Sequence, residues 1–110
     1  MEINMRPNCP VARSADIIAD RWTLLILRNL SLDGPQRFQD FAKALDGISP
    51  TTLSARLKSL QEHGLIAREV IDTHPPRTLY SLTDLGLNIR PVLKALHQFG
   101  SALPAKPEDR

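Results

Sequence analysis

Residues 49–64 have the sequence SPTTLSARLKSLQEHG, which predicts one short helix with a marked start and a marked end. Ser49 can cap the free N–H groups of the first turn, and Pro50 suits the first helical position because its missing N–H would be unpaired there anyway. Gly64 suits the left-handed conformation that often ends a helix. Leucines recur at i, i+4 and i+7, which predicts one buried face; they are Leu53, Leu57 and Leu60.

The opposite face of this helix is polar, with small and hydroxylated residues in its first turn and a lysine behind them. Small side chains let a helix backbone approach the base edges in a DNA major groove. For an isolated helix, an ordinary solvent-exposed face is the alternative interpretation. The neighbouring segments therefore have to distinguish the two.

Length and composition limit the class of protein. A chain of 110 residues has room for one domain with a modest core. Fourteen basic and twelve acidic residues are interspersed, so the net charge of +2 does not argue for DNA binding. The single cysteine excludes an internal disulfide and fits a reducing compartment. No apolar run is long enough to span a bilayer and the first residues do not resemble a signal peptide, so we expect a soluble, cytoplasmic protein without a membrane partner.

The segments before the opening helix complete a known motif. We expect an N-terminal arm over residues 1–11, a folded domain over 12–100 and a flexible tail over 101–110, with helices over 11–19 and 21–32. Trp22 is interpreted as core packing or a dimer contact. A further helix over 38–45, with Phe38, Phe41, Ala42 and Leu45 inward, is joined to the opening helix by a short turn containing Gly47. Two short helices joined in this way predict a helix-turn-helix.

The segments after Gly64 predict a wing. Residues 65–71 and 79–82 are prone to form strands, and residues 72–77 form a polar loop stiffened by two prolines. Thr83 is the expected N-cap of a final helix in which Gly86 and Pro91 are interior complications that favour a bend. The fold class is therefore mainly α (α+β): a winged helix-turn-helix with a two-stranded β wing and flanking N- and C-terminal helices.

Several of these motifs together resemble the HxlR family of bacterial transcriptional regulators. The resemblance rests on residues 9–11 (CPV), 21–28 (RWTLLILR), 34–38 (GPQRF), 47–57, 75–77 (PPR) and 80–86 (YSLTDLG), in the right order over about residues 8 to 100. It implies a homodimer, joined by its N- and C-terminal helices, that binds a pseudo-palindromic operator in double-stranded DNA. In some members it also implies an N-terminal cysteine that senses oxidants or reactive electrophiles. Asp20 departs from the family pattern, away from the presumed DNA face.

The candidate DNA-binding residues lie mainly on the opening helix. Base-edge contacts are expected from its N-terminal half, with flanking phosphates as further partners. The helical angle of Arg56 lies nearer the buried side, so pairing with an acid at the core edge is the alternative to DNA contact. The predicted set on this helix is Ser49, Thr51, Thr52, Ala55, Arg56, Lys58 and Ser59.

Three residues outside that helix are also candidates. Arg37 is placed to hold a phosphate, and a solvated surface arginine is the alternative. In the wing, Arg77 and His74 could reach the minor groove or its phosphates. Arg77 is the better candidate because the rigid Pro75-Pro76 pair would limit the entropy lost on binding. His74 is otherwise a polar loop residue.

Cys9 has two interpretations. A lone cysteine is usually an inert small hydrophobic residue. Its place between prolines in an apparently exposed arm, together with the family resemblance, favours a redox- or electrophile-sensing thiol, subject to access and thiolate fraction.

Enzyme chemistry is not supported by the sequence. The three histidines are not at metal-ligand spacing, there is no glycine-rich phosphate loop, and no nucleophile has a neighbouring base, so we expect no cofactor and no metal. The alternative to a DNA-binding regulator is a winged-helix protein–protein interaction module, because this fold does not guarantee DNA binding. Such a module is expected to expose apolar residues where residues 51–59 carry polar ones.

Overall fold

The computed structural model describes residues 8–106, which form helices packed around one antiparallel hairpin. In chain order the elements are α1 (Pro10–Ile18), α2 (Arg21–Asp33), α3 (Phe38–Ala44), α4 (Pro50–Glu62), β1 (Ile66–Thr73), β2 (Pro76–Leu82), a 3₁₀ turn (Gly86–Asn88) and α5 (Ile89–Ser101). This is the predicted winged helix-turn-helix: α3 and α4 are the motif, and β1 and β2 are the wing.

The ends of α4 are built as the sequence predicts. The Ser49 hydroxyl oxygen accepts a hydrogen bond from the backbone N–H of Thr52 at 3.1 Å. At the other end Gly64 has φ +76°, and the N–H of Leu65 donates to the carbonyl of Leu60 at 3.0 Å. This is the Schellman arrangement, which satisfies carbonyls at a helix end. The turn between α3 and α4 contains Gly47 at φ +89°, a backbone conformation that residues other than glycine rarely adopt.

The core lies between α2, α3, α4 and the wing. Its largest completely buried side chain, Phe41, meets Tyr80 edge-on with ring centroids 6.3 Å apart. Gln36 pairs with Tyr80 through two backbone hydrogen bonds of 2.9 and 2.8 Å, so the chain before α3 is fastened to β2. The buried apolar cluster is Ile26, Leu27, Leu30, Phe41, Leu45, Leu53, Leu57, Leu60, Ile66, Tyr80 and Ile89.

Two details of the predicted helices are wrong. Ala42 is exposed, whereas Phe41 and Leu45 are buried, so α3 presents a narrower apolar stripe than expected. The first helix begins at Pro10, with Cys9 as its N-cap, and Cys9 is buried with 6% of its surface exposed. The expectation of an exposed Cys9 is therefore wrong, because the residue caps a helix. The predicted arm up to residue 7 and the tail from residue 107 lie outside the described residues.

The wing is longer than its predicted strands. Backbone pairing continues from Ile66 opposite Leu82 to Thr73 opposite Pro76, with an irregularity between Ile71 and Thr73. Most of the predicted polar loop is therefore strand. Pro76 is tolerated because it is the first residue of its strand.

A compact joint links the end of α4 to the start of the C-terminal helical segment. The hydroxyl of Thr83 donates to the carbonyl of Gly64 at 2.6 Å, and its backbone N–H donates to the carbonyl of Leu65 at 3.1 Å. The same hydroxyl accepts from the N–H of Gly86 at 3.0 Å, so Thr83 caps this segment as predicted. A Cβ on Gly86 would overlap the Leu65 carbonyl.

The sequence predicted one final helix with a bend, but the structure has a 3₁₀ turn followed directly by a separate α-helix. A 3₁₀ turn covers Gly86–Asn88, and α5 begins only at Ile89. Pro91 consequently lies in the first turn of α5, where a missing N–H removes no helical hydrogen bond.

Candidate nucleic-acid interface

The outer face of α4 is polar and accessible. Thr51, Ala55 and Lys58 are exposed, and Thr52 and Ser59 are half-buried at the sides. The leucine stripe on the opposite face is at most 1% exposed. The structure therefore brings the predicted base-contacting residues to one accessible side of a helix whose other side is fixed in the core.

The first turn of α4 is rigid. Ser49 donates its hydroxyl proton to the hydroxyl oxygen of Thr52 at 2.9 Å while it accepts from the Thr52 backbone N–H. Both functions of the Ser49 hydroxyl are therefore used in capping. The hydroxyl proton of Thr52 remains available to a ligand. Of these two predicted contacts, Thr52 is the better placed donor.

Arg56 pairs with an acid at the edge of the core. Its Nε lies 3.3 Å from Oδ1 of Asp20, and both side chains are partly exposed. This contact favours the interpretation that Arg56 pairs with an acid at the edge of the core over the interpretation that it contacts DNA. It links α4, the expected recognition helix of the motif, to the residue that precedes α2.

Asp20 is the centre of a small polar network. Its carboxylate accepts from the backbone N–H of Thr23 at 2.9 Å and from the Thr23 hydroxyl at 2.6 Å, which caps α2. Burial raises the pKa of Asp20, but the Thr23 hydrogen bonds and the Arg56 guanidinium outweigh it, so that the pKa lies below its ordinary value of 3.8. The carboxylate is thus held charged at neutral pH.

Arg37 immediately precedes α3 and is exposed. Its backbone N–H donates to Oδ2 of Asp40 at 2.8 Å, and its Nε lies 3.9 Å from the same oxygen. An exposed ion pair at that distance holds the side chain weakly. Arg37 can therefore exchange Asp40 for a phosphate.

The two wing candidates, His74 and Arg77, are exposed. Arg77 lies in β2 opposite Ile71, not in a loop as the sequence predicted. Both residues lie at or next to the tip of the hairpin, which is the wing. They are separated in sequence from the outer-face residues of α4.

The sequence prediction missed Arg68. A cleft of about 450 Å³ lies between α4 and the hairpin, and it is lined by Ser54, Ala55, Leu57, Lys58, Gln61, Arg68 and Tyr80. Arg68 is paired with Tyr80 across the hairpin and is exposed. Strand alternation from the buried Ile66 would have indicated its side. Lys58 and Arg68 give this cleft two positive charges, and none of the described residues that line it is acidic.

Cys9 lies at the start of α1. Its Sγ accepts a hydrogen bond from the backbone N–H of Ala12 at 3.2 Å, so the sulfur occupies the capping position usually taken by an oxygen. The Cys9 thiol is thus part of the N-terminal cap of α1.

Among the described side chains of residues 8–106, no group of three or more His, Cys, Asp or Glu could hold a metal ion. None of the helices described there combines the length and apolar character needed to cross a membrane.

Comparison with known proteins gives consistent results. Residues 17–107 match the model of the HxlR-like helix-turn-helix family. An uncharacterised HTH-type transcriptional regulator of Synechocystis sp. is 43% identical over 93 residues, which cover 84% of this chain and 68% of that protein.

Two solved structures resemble the fold throughout. A protein of Porphyromonas gingivalis described as a MarR-family transcriptional regulator superposes with a TM-score of 0.84 at 34% identity, covering 94% of this chain and all (100%) of the other. The redox regulator HypR in its oxidised form gives a TM-score of 0.82 at 28% identity and covers 89% of this chain and 100% of its own.

Proposed function

Because the chain belongs to the HxlR-like helix-turn-helix family of DNA-binding transcriptional regulators, we propose that it acts as a homodimer on a pseudo-palindromic operator. The single observation that supports this best is the division of α4 into a buried leucine stripe and an exposed face with Thr51, Ala55 and Lys58. A protein–protein module would expose apolar residues on that face. The polar face therefore favours DNA over a protein partner.

The proposed contacts divide by role. Thr51, Thr52, Ala55 and Ser59 approach base edges, while Lys58 and the neighbouring Arg68 neutralise phosphates. Arg37 and the wing residues His74 and Arg77 hold the flanking backbone. Ser49 and Arg56 contribute indirectly, because one caps the recognition helix and the other anchors it to Asp20.

Substitution of Lys58 tests this assignment. Lys58→Ala should weaken binding to duplexes from the protein's own upstream region and to unrelated duplexes alike. It should also reduce the slope of log affinity against log salt by about 0.9, since one phosphate contact is lost. Fluorescence anisotropy over a salt series measures both quantities.

Lys106→Ala is the matched control, because it removes the same charge from a residue beyond α5. It should leave affinity and salt slope nearly unchanged. Unchanged affinity and slope in Lys58→Ala would show that a different face of the molecule binds DNA.

The dimer is supported by an exposed apolar stripe on α5. Val92, Leu96 and Phe99 are 41%, 40% and 65% exposed, and Leu103 continues the stripe beyond the helix at 54%. The spacing of four, three and four residues is that of a helix seam that packs on another helix. Two copies joined there should place their recognition helices about 34 Å apart, one turn of DNA. Mass measurement in solution tests the assembly.

We also propose that Cys9 makes the regulator responsive to oxidants or electrophiles. Because Cys9 is 6% exposed, a reagent reaches its thiol when the start of α1 opens. Support comes from the likeness to HypR, which is described as a redox regulator, and from the place of Sγ as the cap of α1. A modified sulfur could not accept the Ala12 N–H in the same geometry. The start of α1 would then move, and the recognition helices of the dimer would move with it.

The test compares wild type and Cys9→Ser before and after diamide treatment. The serine hydroxyl can replace the cap, so the untreated variant should bind the operator like the wild type. Diamide should lower operator affinity only in the wild type. Loss of affinity in treated Cys9→Ser would remove Cys9 from the explanation.

We infer that the chain is not an enzyme and uses no cofactor. The curated relatives it matches are named as transcriptional regulators, which supports this inference.

A further inference from the structure

A groove lies between α2 and α5 and is lined by residues of these two helices. Its volume is about 550 Å³, within the range of pockets that hold small organic molecules. Leu24 and Leu25 form one wall and Leu93 and Leu96 the other. The complete lining is Leu24, Leu25, Arg28, Ser31, Leu32, Arg90, Leu93, Lys94, Leu96 and His97.

The polar residues of this groove are basic, apart from Ser31. Arg28 comes from α2, and Arg90, Lys94 and His97 come from α5, while none of the described residues that line the groove is acidic. Helix α5 has no aspartate or glutamate anywhere in its sequence, IRPVLKALHQFGS. The apolar walls therefore carry a positive rim.

The positive charge is not compensated within the described part of the chain. Arg90 and Lys94 lie four residues apart on one helix, where like charges repel. Neither is among the ion pairs found over residues 8–106. Arg28 donates from Nε and Nη2 to Oδ1 of Asn29 at 3.1 and 3.0 Å, and this neutral amide leaves its charge in place. An anion in the groove would relieve the repulsion.

We propose that this groove binds a small amphipathic organic anion, with an apolar body between the leucine walls and a carboxylate or sulfonate beside Arg90 and Lys94. The volume and the charge both fit such a ligand. Leu96 also belongs to the α5 stripe where we propose that a second copy packs, so the groove and the stripe are neighbours. A second copy of the chain fits the groove itself less well than an anion does. Its α1 carries one acid, Asp16, together with Arg13, and its α5 carries none, so neither helix can neutralise the rim.

Two naphthalene probes test the proposal on the intact protein at concentrations where its oligomeric state has been measured. The anion 1-anilinonaphthalene-8-sulfonate should bind saturably, at one molecule per chain, with fluorescence enhancement. N-phenyl-1-naphthylamine has the same apolar body without the sulfonate and should bind at least about tenfold more weakly, a difference of about 1.4 kcal/mol.

Charge reversal separates the rim from the apolar walls. Lys94→Glu should weaken the anionic probe at least about tenfold and leave the neutral probe unchanged, because only the sulfonate meets the rim. Lys43→Glu makes the same charge change on α3, outside the groove lining, and should leave both probes unchanged.

A steric variant covers the remaining explanation, that the probe binds the exposed stripe of α5. Ser31→Phe places a ring in the groove and should abolish binding of both probes, with the fold checked by circular dichroism. Saturable binding that survives Ser31→Phe would place the probe elsewhere and overturn the proposal. So would equal affinity for the two probes, absence of saturable binding, or loss of binding when the chain self-associates, which would assign the groove to a second copy. None of these readouts involves DNA, so they leave the proposed operator binding untouched.

Discussion

Helices α4 and α5 have the same length of 13 residues and similar apolar spacing, but their apolar residues meet different surroundings. The leucines of α4 are at most 1% exposed. On α5, Ile89 and Leu93 turn toward the core, whereas the exposed apolar stripe that includes Phe99 is not covered by the described chain. Helix α4 is therefore completed by its own chain, and α5 is incomplete until another surface covers it.

The difference follows from position in the fold. Helix α4 is enclosed by α2, α3 and β1, so every apolar residue on its inner face has a partner. Helix α5 packs mainly against α2 after the 3₁₀ turn, and it leads out of the core toward the chain end. A stripe of similar pattern consequently serves stability in one helix and, as we propose, assembly in the other.

The largest expected effect tests the closed region. Phe41→Ala, in the helix-turn-helix, should lower the free energy of unfolding by about 3–5 kcal/mol, because a completely buried ring is lost beside Tyr80. Urea unfolding measures this. A loss below about 1 kcal/mol would mean that the helix-turn-helix is not as tightly packed as its burial indicates.

The same substitution in the open region should act on assembly. Phe99→Ala should raise the dissociation constant of the dimer by about tenfold or more, since each chain would lose an aromatic side chain from the seam. Sedimentation over a concentration series measures the constant. The unfolding free energy of the dissociated chain should change by less than about 0.5 kcal/mol.

Val70→Ala provides the control, because Val70 is also an exposed apolar residue but lies in the wing. It should leave the dissociation constant unchanged. If Phe99→Ala destabilised the isolated chain as strongly as Phe41→Ala, the contrast between the two regions would fail.

The smallest expected effect concerns Asp20, which joins α4 to the start of α2 through Arg56. Its lowered pKa means that its stabilising contacts are present above the ordinary value of 3.8 and are lost as the pH falls through the lower folded value. Asp20→Asn keeps a capping oxygen but loses the charge that faces Arg56. At pH 7 the cost should be below about 1 kcal/mol, as for other exposed ion pairs.

Urea unfolding at pH 7 and at pH 3 tests this linkage. The stability difference between wild type and Asp20→Asn should shrink at pH 3, because the carboxyl group of the unfolded chain is largely protonated below its ordinary pKa of 3.8 and folding must then release that proton. Asp16→Asn, on the exposed side of α1, serves as the control. A difference that stays constant with pH would show that the charge of Asp20 does not stabilise the fold.

The sequence predicted the elements well where local patterns are strong. Capping residues and leucine spacing placed α4 at both ends, because Ser49 and Gly64 act within their own helix. The wing strands were predicted too short, since pairing near Thr73 and Pro76 depends on the partner strand and not on local propensity.

The candidate site was less accessible to prediction. The position of Thr51, Ala55 and Lys58 on one face follows from helical periodicity alone. The contact of Arg56 with Asp20 joins residues 36 positions apart, and no local pattern reports such a distance. For Arg68, strand alternation indicates the side of the hairpin but not the neighbour, because its place in the same cleft as Lys58 depends on how the hairpin packs against α4.

The joint at Thr83 and Gly86 fixes the base of the hairpin, so the tip of the hairpin can change without the base. The backbone travels out and back along β1 and β2, but Gly64 and Thr83 are held together directly at its base by the Thr83 hydroxyl. The tip at His74 and Pro75 could therefore be lengthened or exchanged for another hairpin end without altering the angle between the recognition helix and α5. Wing reach and half-site spacing could then be engineered independently of each other.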